Sequence, residues 1–444
     1  MGSTPQKTIG RLRNRFLQGV LTLELVKPEL PEPVYIKLNA PAHSVWLGET
    51  EGYTYDLEGR PYAAFVGGRR YRRALDGRVV ETAWIRGNDG GRYRRVRLLE
   101  GREKSILLRR FRQRIEPVVE AVVNGRYRLR QTGHPREIQP DRDSLTEVLN
   151  RLLIWDERRL AGDVRAFQRV YRPVSILPPD QYMALYIQMT QGCYYNRCAF
   201  CDFYRDRPYR ELDEADFLRH LQAVEAYLGR AVRMRKTLFL GDANALYMDS
   251  ESLLRRFAIL SERYRIGKPS DDERPSFSGI YAFIDAFTGA HLSPDVLAEL
   301  ARRGLRRVYL GFETGHDPLR RLLQKPGKTQ QVIEAVQNLK RGGVSAGIIL
   351  LNGIGGWTYF EAHLRDSLEA LRSMPLDARD MIYLSDLVVP DDSDYLQVAQ
   401  VQGWDVLSAE ALHRQRQQWL QALRRDTKLR GIKIANYDIR EFVY

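Results

Sequence analysis

Cysteine is almost missing from this chain. Of 444 residues only Cys193, Cys198 and Cys201 are cysteine, and all three lie in one stretch, GCYYNRCAFCDFY at 192–204. An odd count confined to one cluster argues against a disulfide framework and for a reducing compartment, the cytoplasm, in which the thiols serve a metal. Long apolar runs are missing too. The longest, around GIILLNGIGG, is too short to span a bilayer, and the opening MGSTPQKTIGRLRNRF has no apolar signal-peptide core, so no membrane span is expected. No polar low-complexity tract interrupts the chain. With 43% hydrophobic and 28% charged residues it has the composition of a folded protein of two or three domains. Acidic charge is scarce in the first third: residues 1–140 hold 27 Lys and Arg against 15 Asp and Glu, a surplus of 12 out of the net +14.

Residues 32–98 read as short strands separated by the turn signals LEGR, VGGR and NDGG. From Arg102 to Val123 the apolar spacing becomes helical, with Pro117 set against one unbroken helix. Prolines in RPVSILPPDQY mark a boundary near 172–180. Beyond it six apolar strands alternate with amphipathic helices, the pattern of a parallel sheet covered by helices. The expected fold is α/β, a partial (β/α)6 barrel of the TIM type preceded by an antiparallel β-rich domain. Its parts are a basic β-rich domain at 1–100, a helical connector at 101–180, the barrel at 181–395 and a helical cap at 396–444. In such a sheet the chemistry sits at the strands' C-terminal ends, where TQGCYYN, GDANAL, GFETGHD and NGIGGW all fall.

A structural zinc ion takes four protein ligands, so three cysteines would need help from a histidine such as His316 or His363. A [4Fe-4S] cluster ordinarily takes one thiolate per iron, and three thiolates leave one iron open. The cysteine loop after the first barrel strand, Phe200 just before the third cysteine, and the glycine-bearing loops at later strand ends resemble the radical S-adenosylmethionine (SAM) superfamily over roughly residues 182–395. The resemblance implies that Cys193, Cys198 and Cys201 hold a [4Fe-4S] cluster whose open iron binds SAM. It also implies an electron donor such as flavodoxin or ferredoxin, and cleavage of SAM to a 5'-deoxyadenosyl radical that abstracts hydrogen from a substrate. The spacing here is C-x4-C-x2-C, one residue longer in its first interval than the commonest family spacing, and is read as a subgroup mark.

The same resemblance assigns the SAM shell. Gly241, Asp242 and Asn244 stand where the family meets the SAM ammonium, although Asp and Asn are also common in helix N-cap turns. Glu313 and Thr314 stand where a polar residue reaches the ribose or carboxylate, the alternative being a solvated loop. Gly353, Gly355 and Gly356 occupy the place of the glycine segment passing the adenine. Arg210 is chosen over Arg205 and Arg207 as a partner of the SAM carboxylate. No D-x-H-x-x-G cobalamin signature is present and no cysteine remains for a second cluster. Arg and Tyr alternate in GGRRYRRAL, GGRYRRVRLL and NGRYRLRQ, a pairing suited to phosphate and base, yet equally what a half-buried strand shows. The expected substrate is an anionic small molecule, with RNA gripped by the β domain as an alternative. A non-catalytic zinc-stabilised RNA-binding protein is the reading from a different class.

Overall fold

The computed structural model describes residues 20–25, 34–38, 41–86, 92–132, 142–267, 274–285 and 291–444. The opening segment and the NDGG turn discussed above lie outside these residues. The chain divides into two compact units, one of residues 1–172 with 223–235 and 443–444, the other of 173–222 with 236–442.

In the first unit nine strands form one antiparallel sheet. They are β1 (Val20–Leu25), β2 (Val34–Leu38), β3 (His43–Leu47), β4 (Glu51–Tyr55), β5 (Pro61–Val66), β6 (Arg69–Arg73), β7 (Val79–Arg86), β8 (Arg92–Leu98) and β9 (Tyr127–Thr132). The order is β8-β7-β6-β5-β4-β3-β2-β1-β9. The first eight strands form a meander, each paired with the next in sequence. In VGGR, Gly67 and Gly68 take φ of +55° and +77°, the two left-handed positions that a two-residue type I′ hairpin turn requires. Alternation then decides what each strand buries: Val34, Ile36 and Leu38 of β2 face inward while Tyr35 and Lys37 are exposed.

The inward face is covered by α1 (Gly101–Gln113), α2 (Glu116–Val123) and α3 (Arg142–Leu153). Leu107, Phe111, Ile115, Val118, Leu145 and Leu149 share one core with Ile36, Val45 and Tyr53. Residues 101–153 are therefore the second layer of the β domain and supply its ninth strand, where the sequence suggested a connector. Pro117 opens α2, whose first-turn N–H groups lack helix acceptors anyway, so the helical pattern is split at Arg114 and Ile115. A further helix, α4 (Glu157–Val170), begins at Asp156, whose side chain accepts from Arg159 N–H.

The second unit is a parallel sheet of seven strands in sequence order: β10 (Ala184–Gln188), β11 (Thr237–Gly241), β12 (Ile280–Ile284), β13 (Leu305–Glu313), β14 (Ser345–Asn352), β15 (Met381–Asp386) and β16 (Lys433–Tyr437). Each βα crossover is filled by a helix: α5 (Glu214–Leu228), α6 (Ser250–Arg263), α7 (Pro294–Arg302), α8 (Asp317–Leu322) with α9 (Thr329–Arg341), α10 (Phe360–Ser373), and α11 (Asp394–Gln402) with α12 (Ala409–Arg425). β10 and β11 are buried at every position, as strands covered on both faces must be. The six βα units are those read from the sequence, and a seventh strand follows them. β16 pairs with β15 from Met381↔Lys433 to Ser385↔Tyr437, so residues 433–437 belong to the barrel sheet and the cap at 396–444 is only partly helical.

Candidate functional site

The cysteine loop leaves β10 and is pinched at its base by a short bridge between Thr190–Gln191 and Arg210–Glu211. Inside it Asn196 has φ +50°, a left-handed conformation that Asn tolerates better than most residues. Its N–H points at Cys193 Sγ at 3.4 Å and its Nδ2 donates to Tyr204 O at 2.8 Å. The extra residue between Cys193 and Cys198 is taken up in this turn. Cys201 N–H donates to Cys198 O at 3.1 Å, and Ala199 N–H to Leu323 O at 3.0 Å. Arg205 then donates to the carbonyls of Cys201 and Cys198 at 3.2 and 3.1 Å, so the loop's outer rim is tied down.

All three cysteines line a cavity of about 300 Å³ at the C-terminal ends of the barrel strands. Burial pushes the Cys198 thiol up to about 11 and the Cys201 thiol up to about 12. As free groups these are neutral thiols at pH 7, held where only a metal would draw off their protons. Among the described residues no three His, Cys, Asp or Glu side chains converge as the ligands of one ion do. A four-iron cluster, which takes each thiolate on a different iron, needs no such convergence, and the donor set fits it.

Asp242 is fully buried and is not among the residues lining the cavity. One carboxylate oxygen accepts from Tyr186 Oη and from Gln188 Nε2 at 3.2 Å. The other accepts from Gly192 N–H at 2.8 Å and Arg207 Nε at 3.1 Å. Burial raises its pKa, and the donors from Tyr186, Arg207, Gly192 and Gln188 oppose that rise. With both oxygens engaged, this carboxylate is placed to anchor both ends of the cysteine loop, not to meet an ammonium in the cavity. Gly241 is required for a related reason: a Cβ there would lie 2.0 Å from Tyr186 Oη. Asn244, two residues on, does line the cavity, and its Oδ1 accepts from Asp285 N–H at 2.9 Å.

Glu313 and Phe200 also line the cavity. Glu313 sits at φ +60°, beside a register shift between β13 and β14 at Gly311 and Glu313, and its Oε1 lies 3.3 Å from Lys325 Nζ. Burial works to lower the Lys325 pKa, but the charge of Glu313 foremost works against it and the net shift is upward. The same ammonium lies 5.9 Å from the centre of the Phe200 ring. Arg320, buried beneath, donates to the carbonyls of Phe312 and Thr314 at 2.7 and 3.2 Å and to those of Pro326 and Gly327 at 3.0 and 3.2 Å, clamping the loops that carry Glu313 and Lys325.

Four other sequence-derived candidates are placed elsewhere. Thr314 Oγ1 is 2.7 Å from Nδ1 of the buried His363 and accepts from His316 N–H at 3.0 Å, a network behind the cavity wall. Gly353 has φ +92° and a Cβ there would lie 2.3 Å from Leu412 Cδ2 of α12. Gly355, at φ +72°, donates its N–H to Tyr395 Oη at 2.8 Å. Neither lines the cavity, and helix packing accounts for both glycines. Arg210 is exposed and ion-paired with Asp216 on α5. Of the three arginines after the loop, Arg207 is the buried one, donating also to Pro173 O and Ser175 Oγ. Sequence reasoning missed Lys325 and Asp386 in the lining. The available signal for Lys325 was its loop, KPGK, which interrupts the fourth crossover between α8 and α9.

Residues 187–368 match the family model described as the Radical SAM superfamily. No curated protein matches the chain. Among solved structures the chain is similar to HemN of Escherichia coli, a coproporphyrinogen III oxidase and radical SAM enzyme (16% identity, 61% of this chain and 56% of that one, TM-score 0.40). It is also similar to Elp3 of Methanocaldococcus infernus (13%, 49% and 51%, TM-score 0.36). A third likeness is to the methyltransferase TsrM of Kitasatospora setae, solved with cobalamin and a [4Fe-4S] cluster (16%, 50% and 42%, TM-score 0.35). The chain spans about half the length of these structures. The cofactors of the superfamily are a [4Fe-4S] cluster and SAM. Residues 187–368, which carry the cysteine loop and the strand ends around it, are thus the part of the chain that is similar to the radical SAM superfamily.

Proposed function

We propose that the chain is a radical SAM enzyme whose cluster is held by Cys193, Cys198 and Cys201. The observation that carries this reading is the seating of three half-buried cysteines, with no fourth, in one cavity at the C-terminal mouth of the barrel. When bound, such a cluster supplies an open iron for SAM and the electron that splits it to methionine and a 5'-deoxyadenosyl radical. The chain's own residues do the rest. Phe200, Phe283, Ile349 and Leu351 give the cavity an apolar wall that excludes water from a reactive radical. Asn244 and Glu313 offer acceptors to the ammonium and ribose of SAM, and Lys325 offers a cation to its carboxylate while balancing thiolate charge. Arg320 and Asp242 hold these groups in place from behind. An external one-electron donor such as flavodoxin or ferredoxin completes the reaction. Asp202 and Asp285 line the cavity, Asp386 there is ion-paired with Arg416, and the ammonium of Lys325 is already matched by Glu313, a balance that gives the expected anionic small molecule little support.

Anaerobic reconstitution tests the reading. It should give about four irons per chain, an absorption band near ~400 nm, and 5'-deoxyadenosine on reduction with SAM. Cys193→Ala, Cys198→Ala and Cys201→Ala should each abolish iron retention. A chain that keeps its cluster yet releases no 5'-deoxyadenosine refutes the enzymatic reading. One tightly held zinc and no iron would favour the zinc-stabilised alternative.

A further inference from the structure

We propose that the face of the nine-stranded sheet opposite its helices binds single-stranded nucleic acid. The arginines of this sheet divide between its two faces. On the helix side Glu81, 1% exposed, is surrounded by Arg69, Arg95 and Arg97 at 3.3, 3.4 and 2.9 Å, and Glu51 by Arg110 and Arg114. Those cations are spent on buried carboxylates. The other face has a different composition.

Cross-strand pairing places Tyr35, Trp46, Gly52, Phe65 and Arg70 in one row across β2 to β6. Trp46 lies over Gly52, where a Cβ would come within 2.5 Å of its ring, and its ring centre is 6.0 Å from that of Phe65. Two residues along each strand, roughly 7 Å away, runs a second row: Lys37, Ser44, Thr54, Ala63 and Arg72. This is a trough with a floor of small side chains, an aromatic row along one side and a cation at each end. Among the described residues Lys37 and Arg70 have no ion-pair partner and Tyr35 is 37% exposed, while beyond Arg72 the face is closed off where Val80 and Val96 pack against Val443. Trp84, 61% exposed, pairs with Arg94 at the far side.

Rings that offer a π-face to any base, beside cations spaced to follow phosphates, are what sequence-tolerant strand binding needs. The surplus of 12 positive charges in residues 1–140 has the sign to attract it. The trough holds no set of converging acceptors or donors for reading base edges, so the recognition is of strand, not of sequence.

Fluorescence anisotropy of the full chain with labelled oligouridylate and oligothymidylate, each about 15 nucleotides, tests this independently of the cluster. Both should bind at low salt, the tighter naming the natural strand as RNA or DNA. The three cations of the trough, Lys37, Arg70 and Arg72, give a log–log salt slope of about −2, and Arg70→Gln should reduce it by roughly 0.7. Tyr35→Ala and Phe65→Ala should each weaken binding about five- to a hundredfold. Arg102→Glu with Arg109→Glu, on the helix side, should change it less than twofold. No binding to either strand, or loss equal for helix-side and trough variants, overturns the proposal. So does a concentration-dependent doubling of mass that Tyr35→Ala abolishes, which would make a second copy the occupant. Iron retention in the trough variants should match the parent, so failure here leaves the radical SAM reading untouched.

Discussion

Replacing Asp242 should loosen the cysteine loop without touching a cysteine. Its carboxylate accepts from Tyr186 and Gln188 on β10, from Gly192 at the start of the loop, and from Arg207 beyond its end. Asp242→Asn keeps the shape. The amide nitrogen can turn toward the Tyr186 hydroxyl, which can accept in return, and toward Gln188 once its amide turns to present its oxygen, while the Asn oxygen keeps Gly192 and Arg207. What is lost is the charge opposite Arg207, whose guanidinium is 2% exposed and is then left with Asp206, 54% exposed, as its only carboxylate. Removing one partner of a buried pair costs 3–5 kcal/mol, and the surviving contact with Asp206 puts this case at about 3 kcal/mol.

For a unit of this size each kcal/mol moves the melting temperature by about 2–4 °C, so calorimetry of the apo chain should show a fall of about 6–12 °C. Asp242→Leu, which removes every acceptor, should fall further. Arg207→Met alone should also destabilise, and Asp242→Leu with Arg207→Met together should recover most of the loss, because an apolar pair leaves no buried charge unmatched. Both single variants should retain less iron, since Gly192 immediately precedes Cys193. A single variant melting within about 1 °C of the parent, or a double variant showing the plain sum of the two losses, would refute the role given to this carboxylate.

His363 is fully buried between Thr314 Oγ1 at 2.7 Å and Leu351 O at 3.3 Å, with the Trp419 ring against it, and burial pulls its pKa down to about 3. An unfolded histidine takes its proton near 6.5, so between about pH 6.5 and 3 the unfolded chain binds more protons and stability falls with acid at about 1.4 kcal/mol per pH unit. His363→Gln should flatten that part of a denaturation series run across pH; an unchanged slope assigns the acid loss elsewhere. Gly353→Ala forces a Cβ onto Leu412 at φ +92° and should cost about 2–4 kcal/mol, of which Leu412→Ala restores only the steric part. If titration calorimetry instead shows weaker SAM binding at unchanged stability, the glycine serves the adenine and the packing account fails.

The barrel's first strands were legible because strands covered on both faces are apolar at nearly every position, as the edge strand ALYIQ and its neighbour TLFLG are. KIANY, at the other edge, was not. Its positions are only half covered, with Lys433 and Asn436 exposed, so the apolar run that marks a strand never forms. Residues 101–153 showed their helices but not their partner, since helical spacing says that a face is buried without saying against what. The thiols were legible because three cysteines in nine residues have few other uses.

The polar shell was harder for a geometric reason. A carboxylate at the end of a parallel strand has two destinations, the open mouth above the sheet or the packed layer beside it, and alternate positions differ in which they reach. Asp242 goes into the packed layer, where four donors from three segments meet it, while Asn244 goes to the mouth. Glu313 reaches the mouth because the chain turns left-handed there and the register with β14 shifts, so counting alternation from the strand centre cannot place it. Lys325 comes twelve residues later and is brought in by the Arg320 clamp, a link made by carbonyl groups that every residue carries. The loops that make this site follow from the order of strands, whereas the atoms that face its cavity follow from where each loop finds its hydrogen bonds.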